Sequence, residues 1–317
     1  MSVLTLATVS RWYGNVVAVN DVTMTIGPGV TGLLGPNGAG KSTLIHMMAG
    51  FLAPSSGSVA LDGKEVWRNE SIYKHIGLVP EREGMYDVVT GWAFVLANAR
   101  LHRLPDPAAA ARRALDLVEM SDVADRTIDG YSKGMKQRVK MAAGLVHDPA
   151  VLLLDEPFNG MDPRQRLHLM DLLRSMGASG RTVLFSSHIL EEVEEIADTI
   201  EVMVAGRHAA SGDFREIRRL MTERPHQYTV QSSDDRTLAA AVIADGCASA
   251  VELVGPSAAP SGNVSQGEPG VLRVQATDHG RFVHVLPQLA RGSGIRLFQV
   301  APADESLESV FSYLVSR

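Results

Sequence analysis

The run GLLGPNGAGKSTLIHMMAG, from Gly32 to Gly50, restricts this chain more than any other feature. Val30 to Leu34 reads as a buried strand, and Thr43 to Ala49 reads as a helix with Leu44, Met47 and Met48 at helical spacing. Between them, Gly35-x-x-x-x-Gly40-Lys41-Ser42 fits the phosphate-loop pattern. Glycines let successive backbone N–H groups turn inward around phosphate oxygens. The helix N-terminus adds partial positive charge. Lys41 can then reach the β- and γ-phosphates, and Ser42 can ligate Mg²⁺. A plain Gly-rich turn is the alternative reading, so the rest of the chain has to decide.

A second run, AVLLLDEPFNGMD from Ala150 to Asp162, lies more than a hundred residues on. Val151 to Leu154 is continuously apolar, as expected of a strand buried on both faces of a parallel sheet. A carboxylate at the C-terminal end of such a strand points at the ligand crevice of an open α/β sheet. Asp155 is placed to hold Mg²⁺ through water and Glu156 to polarise the attacking water. The third run, YSKGMKQR from Tyr131 to Arg138, opens a helix through Val146. Ser132 suits an ordinary N-cap there, or a second anion-binding helix start. In the fourth run, VLFSSHILEE, the strand-like Val183 to Phe185 precedes His188. A lone histidine of this kind is more often structural than catalytic.

In this order the four runs resemble the ATPase subunits of ATP-binding cassette (ABC) transporters, over about residues 2 to 220. The Walker A motif of that family is similar to Gly35-Pro36-Asn37-Gly38-Ala39-Gly40-Lys41-Ser42-Thr43. Walker B resembles Val151 to Asp155, with Glu156 as the catalytic glutamate. The signature motif resembles Tyr131 to Met135, and it departs from the common LSGGQ at Lys133 and Met135 while keeping Ser132 and Gly134, which the family sets against the γ-phosphate. Asn159 to Asp162 resembles the D-loop, His188 the switch histidine, and Tyr13 the aromatic that stacks on adenine. Glu81 stands at the Q-loop position, where most of the family has glutamine, and the resemblance sets it facing Mg²⁺ or the water. YSKGMKQR and SSHILEEVE look like the branch that serves ABC-2-type exporters. The resemblance implies ATP and Mg²⁺ as cofactors, a head-to-tail partner subunit (most simply a second copy), and a separate membrane permease. It also implies a location on the cytoplasmic face of the membrane.

The implied fold is an α/β P-loop NTPase core, a RecA-like mixed sheet with an antiparallel β layer and a helical subdomain, followed by a small α+β C-terminal domain. Residues 1–224 make the ATPase domain, with the helical subdomain at about 85–147. Residues 225–317 make the accessory domain, with a loop at 255–270 rich in Gly, Pro and Ser. Met1 to Met24 reads as the antiparallel layer. Thr90 to Met120 reads as helical with a joint at LPDP, Leu104 to Pro107. HQYTVQ, GVLRVQA and IRLFQVAP read as strands, RTLAAAVIA and GRFVHVLPQLA as helices, giving a β-α-β-α-β order. The final SLESVFSYLVSR is similar to an ending common in ABC-2 exporter ATPases.

Composition removes several other classes. The net charge is −6 over 317 residues, against the basic surface that nucleic-acid binding needs. No run reaches 18 apolar residues, so no membrane-spanning segment is expected. Cys247 is the single cysteine, which excludes an internal disulfide and suits a small buried apolar role or a reduced compartment. The competing function is a non-transport ABC ATPase, either regulatory or of the translation and repair type.

Overall fold

The computed structural model describes residues 2–81, 84–213, 217, 226–254 and 271–302. The chain divides into two compact units, one within residues 1–218 and one within residues 219–313. The loop at 255–270, the 224/225 boundary and the SLESVFSYLVSR ending lie outside the described residues.

In the first unit, β1 (Leu4–Tyr13) and β2 (Val16–Ile26) form the expected antiparallel layer. The layer is wider than the sequence suggests, because two further strands join it. β3 (Gly29–Leu34) runs into α1 (Lys41–Met48). β4 (Ser56–Leu61) and β5 (Lys64–Glu65) then return to the antiparallel layer, giving the order β2-β1-β4-β5. The short α2 (Glu70–Tyr73) leads to β6 (Ile76–Val79).

Two helices follow, α3 (Gly91–Leu101) and α4 (Pro107–Leu117), with the break at the expected joint. Each starts where a side chain can satisfy an orphan backbone N–H. The Thr90 hydroxyl accepts from Ala93 N and the Asp106 carboxylate from Ala109 N, and Pro107 sits in the first turn of α4. The alanine run turns Ala110, Ala111 and Ala114 inward, which lets α4 lie close against its neighbours. α5 (Lys133–Leu145) is capped by Ser132.

Five parallel strands build the main sheet. β7 (Val151–Leu154), α6 (Pro163–Ala178), β8 (Thr182–Ser187), α7 (Leu190–Ile196) and β9 (Thr199–Val204) follow in sequence, and β10 (Arg207–Gly212) closes the sheet as an antiparallel edge. The order is β10-β9-β3-β8-β7-β6. β8 therefore lies between the strand that feeds the glycine loop and the strand that ends at Asp155. All four residues of β7 are buried, as their continuous apolar run requires. One apolar cluster joins Leu33, Leu153 and Leu184 of the main sheet, Leu44 and Met48 of α1, and Leu4 and Val22 of the antiparallel layer. The loop and helix start that carry Lys41 are thus fixed on both sides by packed hydrophobic surface.

The second unit contains β11 (His226–Ser232), α8 (Asp235–Asp245), β12 (Ala248–Val254), β13 (Val271–Ala276), α9 (His279–Gly292) and β14 (Leu297–Pro302). Its four strands are all antiparallel to their neighbours, in the order β12-β13-β11-β14. This is the split β-α-β-β-α-β arrangement. The β-α-β-α-β order expected from sequence lacks β12. That strand opens on Ala248-Ser249-Ala250 and lies at a sheet edge, so it has too little apolar alternation to be read as a strand. Leu238 and Val242 of α8 and Phe282, Leu286 and Ala290 of α9 pack on Tyr228, Val230, Leu272 and Val274. Cys247 is buried in that core, as its small apolar character suggests. Among the described residues of both units, no helix is long and apolar enough to cross a membrane.

The helical segment meets the main sheet at a stacked pair of imidazoles. The His102 and His147 rings are parallel, 3.7 Å apart between centroids. His147 Nε2 donates to the Ile76 carbonyl at 3.1 Å. Burial, reinforced by the adjacent His102, holds the His147 imidazole down at about 4, and burial lowers His102 as well. Between about pH 6.5 and 4 the unfolded chain takes up a proton at His147 and the folded chain does not. The stability from this pair is therefore complete above pH 6.5 and is lost as pH falls toward 4. The melting temperature should drop between pH 7 and pH 5, and His147→Gln should make the drop smaller. An equal drop in the variant would contradict this account.

Candidate functional site

The glycine loop forms one side of a cavity of about 420 Å³. Asn37 to Thr43 line it, with Ala18 from β2, Glu81 from the segment after β6, and Glu156 from the end of β7. Two glycines are required here by geometry. Gly38 and Gly40 have φ of 81° and 97°, the left-handed region that other residues avoid. At Gly40 a Cβ would also come within 2.3 Å of the Ala18 carbonyl. The turn can therefore fold tightly against β2 and present α1 end-on to the cavity. No side chain caps α1, so its first N–H groups remain available to an anion.

Lys41 sits at that join and is 6% exposed. Its Nζ donates to the carbonyls of Gly35 at 2.6 Å and Pro36 at 3.2 Å, and lies 3.5 Å from Glu156 Oε1. The ammonium is thus held by its own loop and faces the carboxylate across the cavity. Gly35 and Pro36 contribute carbonyls to the lysine rather than lining the cavity.

Sheet order explains the acidic side of the site. Asp155 and Glu156 leave the end of β7, and Ser186 lies near the end of the adjacent β8. The Ser186 hydroxyl donates to Asp155 Oδ1 at 2.7 Å and accepts from Glu156 N at 2.9 Å. One buried hydroxyl fixes both acidic residues. Sequence reading passed over Ser186, although its place two residues before His188 in VLFSSH is a usable signal. Glu156 has φ of 47°, a left-handed backbone in a non-glycine residue, which turns its side chain back toward the cavity. Its Oε2 meets His188 Nδ1 at 3.0 Å, and its buried Oε1 accepts no hydrogen bond. Burial raises the Glu156 carboxyl above the usual carboxylate range, and the nearby Lys41 and His188 oppose that rise. A carboxylate of raised pKa that lines a cavity is suited to accept a proton from water once its Oε1 is released from the Lys41 ion pair.

The remaining sequence candidates lie elsewhere. Ser132 accepts from Met135 N at 3.2 Å, the N-cap geometry, and Gly134 packs so tightly on the loop after β7 that a Cβ would approach Gly160 O at 3.1 Å and Gln165 Oε1 at 2.5 Å. Neither residue lines the Lys41 cavity. Tyr13 does not line it either. Tyr13 is 47% exposed at the end of β1, with the Arg11 guanidinium 4.8 Å from its ring centroid. Its exposed aromatic face suits stacking on a planar group.

The oxygen donors of the cavity fit a hard divalent cation: Ser42 supplies a hydroxyl, and Glu81 and Glu156 supply carboxylates. Asp155 does not line the cavity; it is buried beside Glu156 with Oδ1 held by the Ser186 hydroxyl. Among the described residues no group of three or more His, Cys, Asp or Glu could hold a metal alone. Mg²⁺ takes one or two protein oxygens and completes its shell with phosphate and water, and the Ser42 hydroxyl and the Glu81 carboxylate are oxygens of that kind.

The sequence profile described as "ABC transporter" matches residues 19–159, a span that includes the glycine loop, Ser132, Asp155 and Glu156. An uncharacterized ABC transporter ATP-binding protein of Nostoc sp. is 39% identical over 207 residues, which cover 64% of this chain and 62% of that relative. The chain thus spans less than two thirds of that relative's length. The Nod factor export ATP-binding protein I of Rhizobium meliloti is 30% identical over 331 aligned residues, covering 98% of this chain and 88% of the relative. A solved ATP-binding subunit of an ABC transporter superposes with a TM-score of 0.63 at 27% identity, over 69% of this chain and 93% of that one. The architecture, the cradle and the sequence relatedness agree: this chain belongs to the ABC transporter family, as one of its ATP-binding proteins.

Proposed function

We propose that the chain binds Mg²⁺–ATP in the glycine-loop cavity and hydrolyses it to drive a separate membrane permease, as an exporter of the ABC-2 type. The observation that carries the hydrolytic reading is Glu156: buried, of raised pKa, oriented by Ser186 and His188, and ion-paired through Oε1 to Lys41 across the cavity. The loop N–H groups and Lys41 hold the β- and γ-phosphates. Ser42, Asp155 and Glu81 would hold Mg²⁺, which would supply neutralisation of the phosphate charge. Glu156 orients a water toward the γ-phosphorus and takes its proton as the bond to the leaving ADP oxygen breaks. His188 keeps the Glu156 carboxylate in place. Tyr13 stacks on adenine.

Ser132 and Gly134 act in a second copy of the chain. They lie outside the Lys41 cavity of their own subunit, so a head-to-tail pair brings them to the partner's γ-phosphate. The export direction follows the relative named for Nod factor export, whose alignment takes in both units of this chain. The permease meets a groove of about 310 Å³ lined by Phe51, Tyr73, Leu78, Phe94, His102 and His147. Phe51, Tyr86 and Leu101 are each at least 74% exposed. An amphipathic cytoplasmic helix of the permease suits such an apolar groove, and it places the chain at the cytoplasmic face of the membrane. A regulatory, translation or repair ATPase would have no membrane partner, so purification from detergent extracts separates the readings. Recovery of a stable membrane subunit supports transport, and recovery with ribosomes or DNA instead contradicts it.

Lys41→Ala should abolish tight ATP binding, measured by equilibrium dialysis, because the phosphates lose their principal cation. Wild-type affinity in a folded Lys41→Ala would remove the cradle from the mechanism. Shared sites make a second expectation. Lys41→Ala and Ser132→Arg homodimers should each lose nearly all ATPase activity, whereas co-assembled mixed dimers retain one intact composite site and should recover a fraction of it. A folded, assembled Ser132→Arg homodimer as active as the wild type would contradict the composite site.

A further inference from the structure

Lys140 is a buried lysine in the middle of α5, the helix that Ser132 caps, and it is 5% exposed. Its Nζ donates to the carbonyls of Pro80 at 2.9 Å and Glu81 at 2.8 Å, the two residues that follow β6. An ammonium is expensive to bury unless strong hydrogen bonds compensate it. Here two of them go to the backbone of one short segment. Glu81 lines the cavity of Lys41, Ser42 and Glu156. It also lines a second cavity of about 310 Å³, shared with Lys133, Gln137 and Lys140 of α5 and Asn159 and Gly160 of the loop after β7. Glu81 therefore stands where the glycine-loop cavity meets the first turns of α5, and Lys140 is the link between its backbone and that helix.

We propose that Lys140 is a positioning residue for Glu81: it fixes the Glu81 backbone to α5, so that the carboxylate is presented to the metal side of the nucleotide site in step with Ser132 and Gly134. The inference rests on the reading of Glu81 as an oxygen facing Mg²⁺. Because both bonds end on main-chain carbonyls, the link does not depend on the Glu81 side chain. A shift of α5 relative to the main sheet moves Glu81 with it. The engagement of this chain's own α5 start with the partner's nucleotide and the placement of a metal-side carboxylate in its own nucleotide site are then coupled through Lys140.

The test uses the full chain loaded with a non-hydrolysable ATP analogue, with Mn²⁺ as the metal probe read by loss of the free-ion electron paramagnetic resonance signal. Lys140→Met should weaken Mn²⁺ binding about tenfold, the scale of one lost charge-assisted contact. It should leave analogue binding in EDTA within about twofold. In a Glu81→Ala background, Lys140→Met should add less than about twofold to the weakening of Mn²⁺. Lys140→Gln, which keeps an uncharged amide donor group, should fall between wild type and Lys140→Met, and it decides the matter if melting curves show that Lys140→Met does not fold. Unchanged Mn²⁺ affinity in these variants would overturn the inference, as would equal weakening with and without the Glu81 carboxylate. A wild-type chain that fails to bind the analogue at all would instead overturn the nucleotide reading on which the inference stands.

Discussion

The site depends on one buried ion pair, Lys41 with Glu156, whose partners come from the ends of different strands. Both residues are less than a tenth exposed and lie 3.5 Å apart. A pair taken out of water in this way is weak evidence for stability, because desolvation offsets much of the attraction. Its use is in positioning. The lysine is tied to its own loop by two carbonyls, and the glutamate is tied to β8 by Ser186. Two charges are therefore set facing each other by rigid elements, with one glutamate oxygen left without a hydrogen bond. On the proposed mechanism, a phosphate in the cradle would supply the charge that Lys41 finds in Glu156 and so release the carboxylate to meet water.

Packing supplies the rigidity. The apolar cluster that includes α1, the main sheet and the antiparallel layer contains Leu44, Ile45, Met47 and Met48 at or near zero exposure. Interiors at that density resist displacement, so the helix start cannot drift without moving both sheets. The helical segment is attached differently. It meets the core through a stacked imidazole pair, the Lys140 link and the contact of Gly134 with Gly160. Apolar packing adds to them, since Gly144 of α5 lies so close to β6 that a Cβ there would come within 2.7 Å of the Val79 side chain. The close-packed half carries the glycine loop and the helical segment carries Ser132, a division suited to a site completed by a partner.

Much of this was legible in the residues. The glycine loop, the buried β7 run and the cap at Ser132 each follow from local chemistry, and all three lie where their patterns place them. What escaped was non-local. Ser186 matters because β8 lies between β3 and β7, and no local pattern states that order. Lys140 looks like any helix-surface lysine in QRVKMAAG until β6 is found beneath it. β12 was missed because an edge strand needs little apolar alternation. The separation of Ser132 from the Lys41 cavity agrees with the head-to-tail pairing that the family resemblance implies, although no local pattern states it.

The central claim is that the chain closes on ATP as a pair and that Glu156 ends the closed state. Sedimentation of Glu156→Gln with ATP and with ADP tests it most directly. The amide keeps the side chain's shape and removes the proton acceptor, so ATP should bind, remain intact and hold two subunits together, while ADP should leave monomers. If Glu156→Gln turns over ATP at the wild-type rate, or binds ATP and stays monomeric in the presence of its membrane partner as well, the account is wrong.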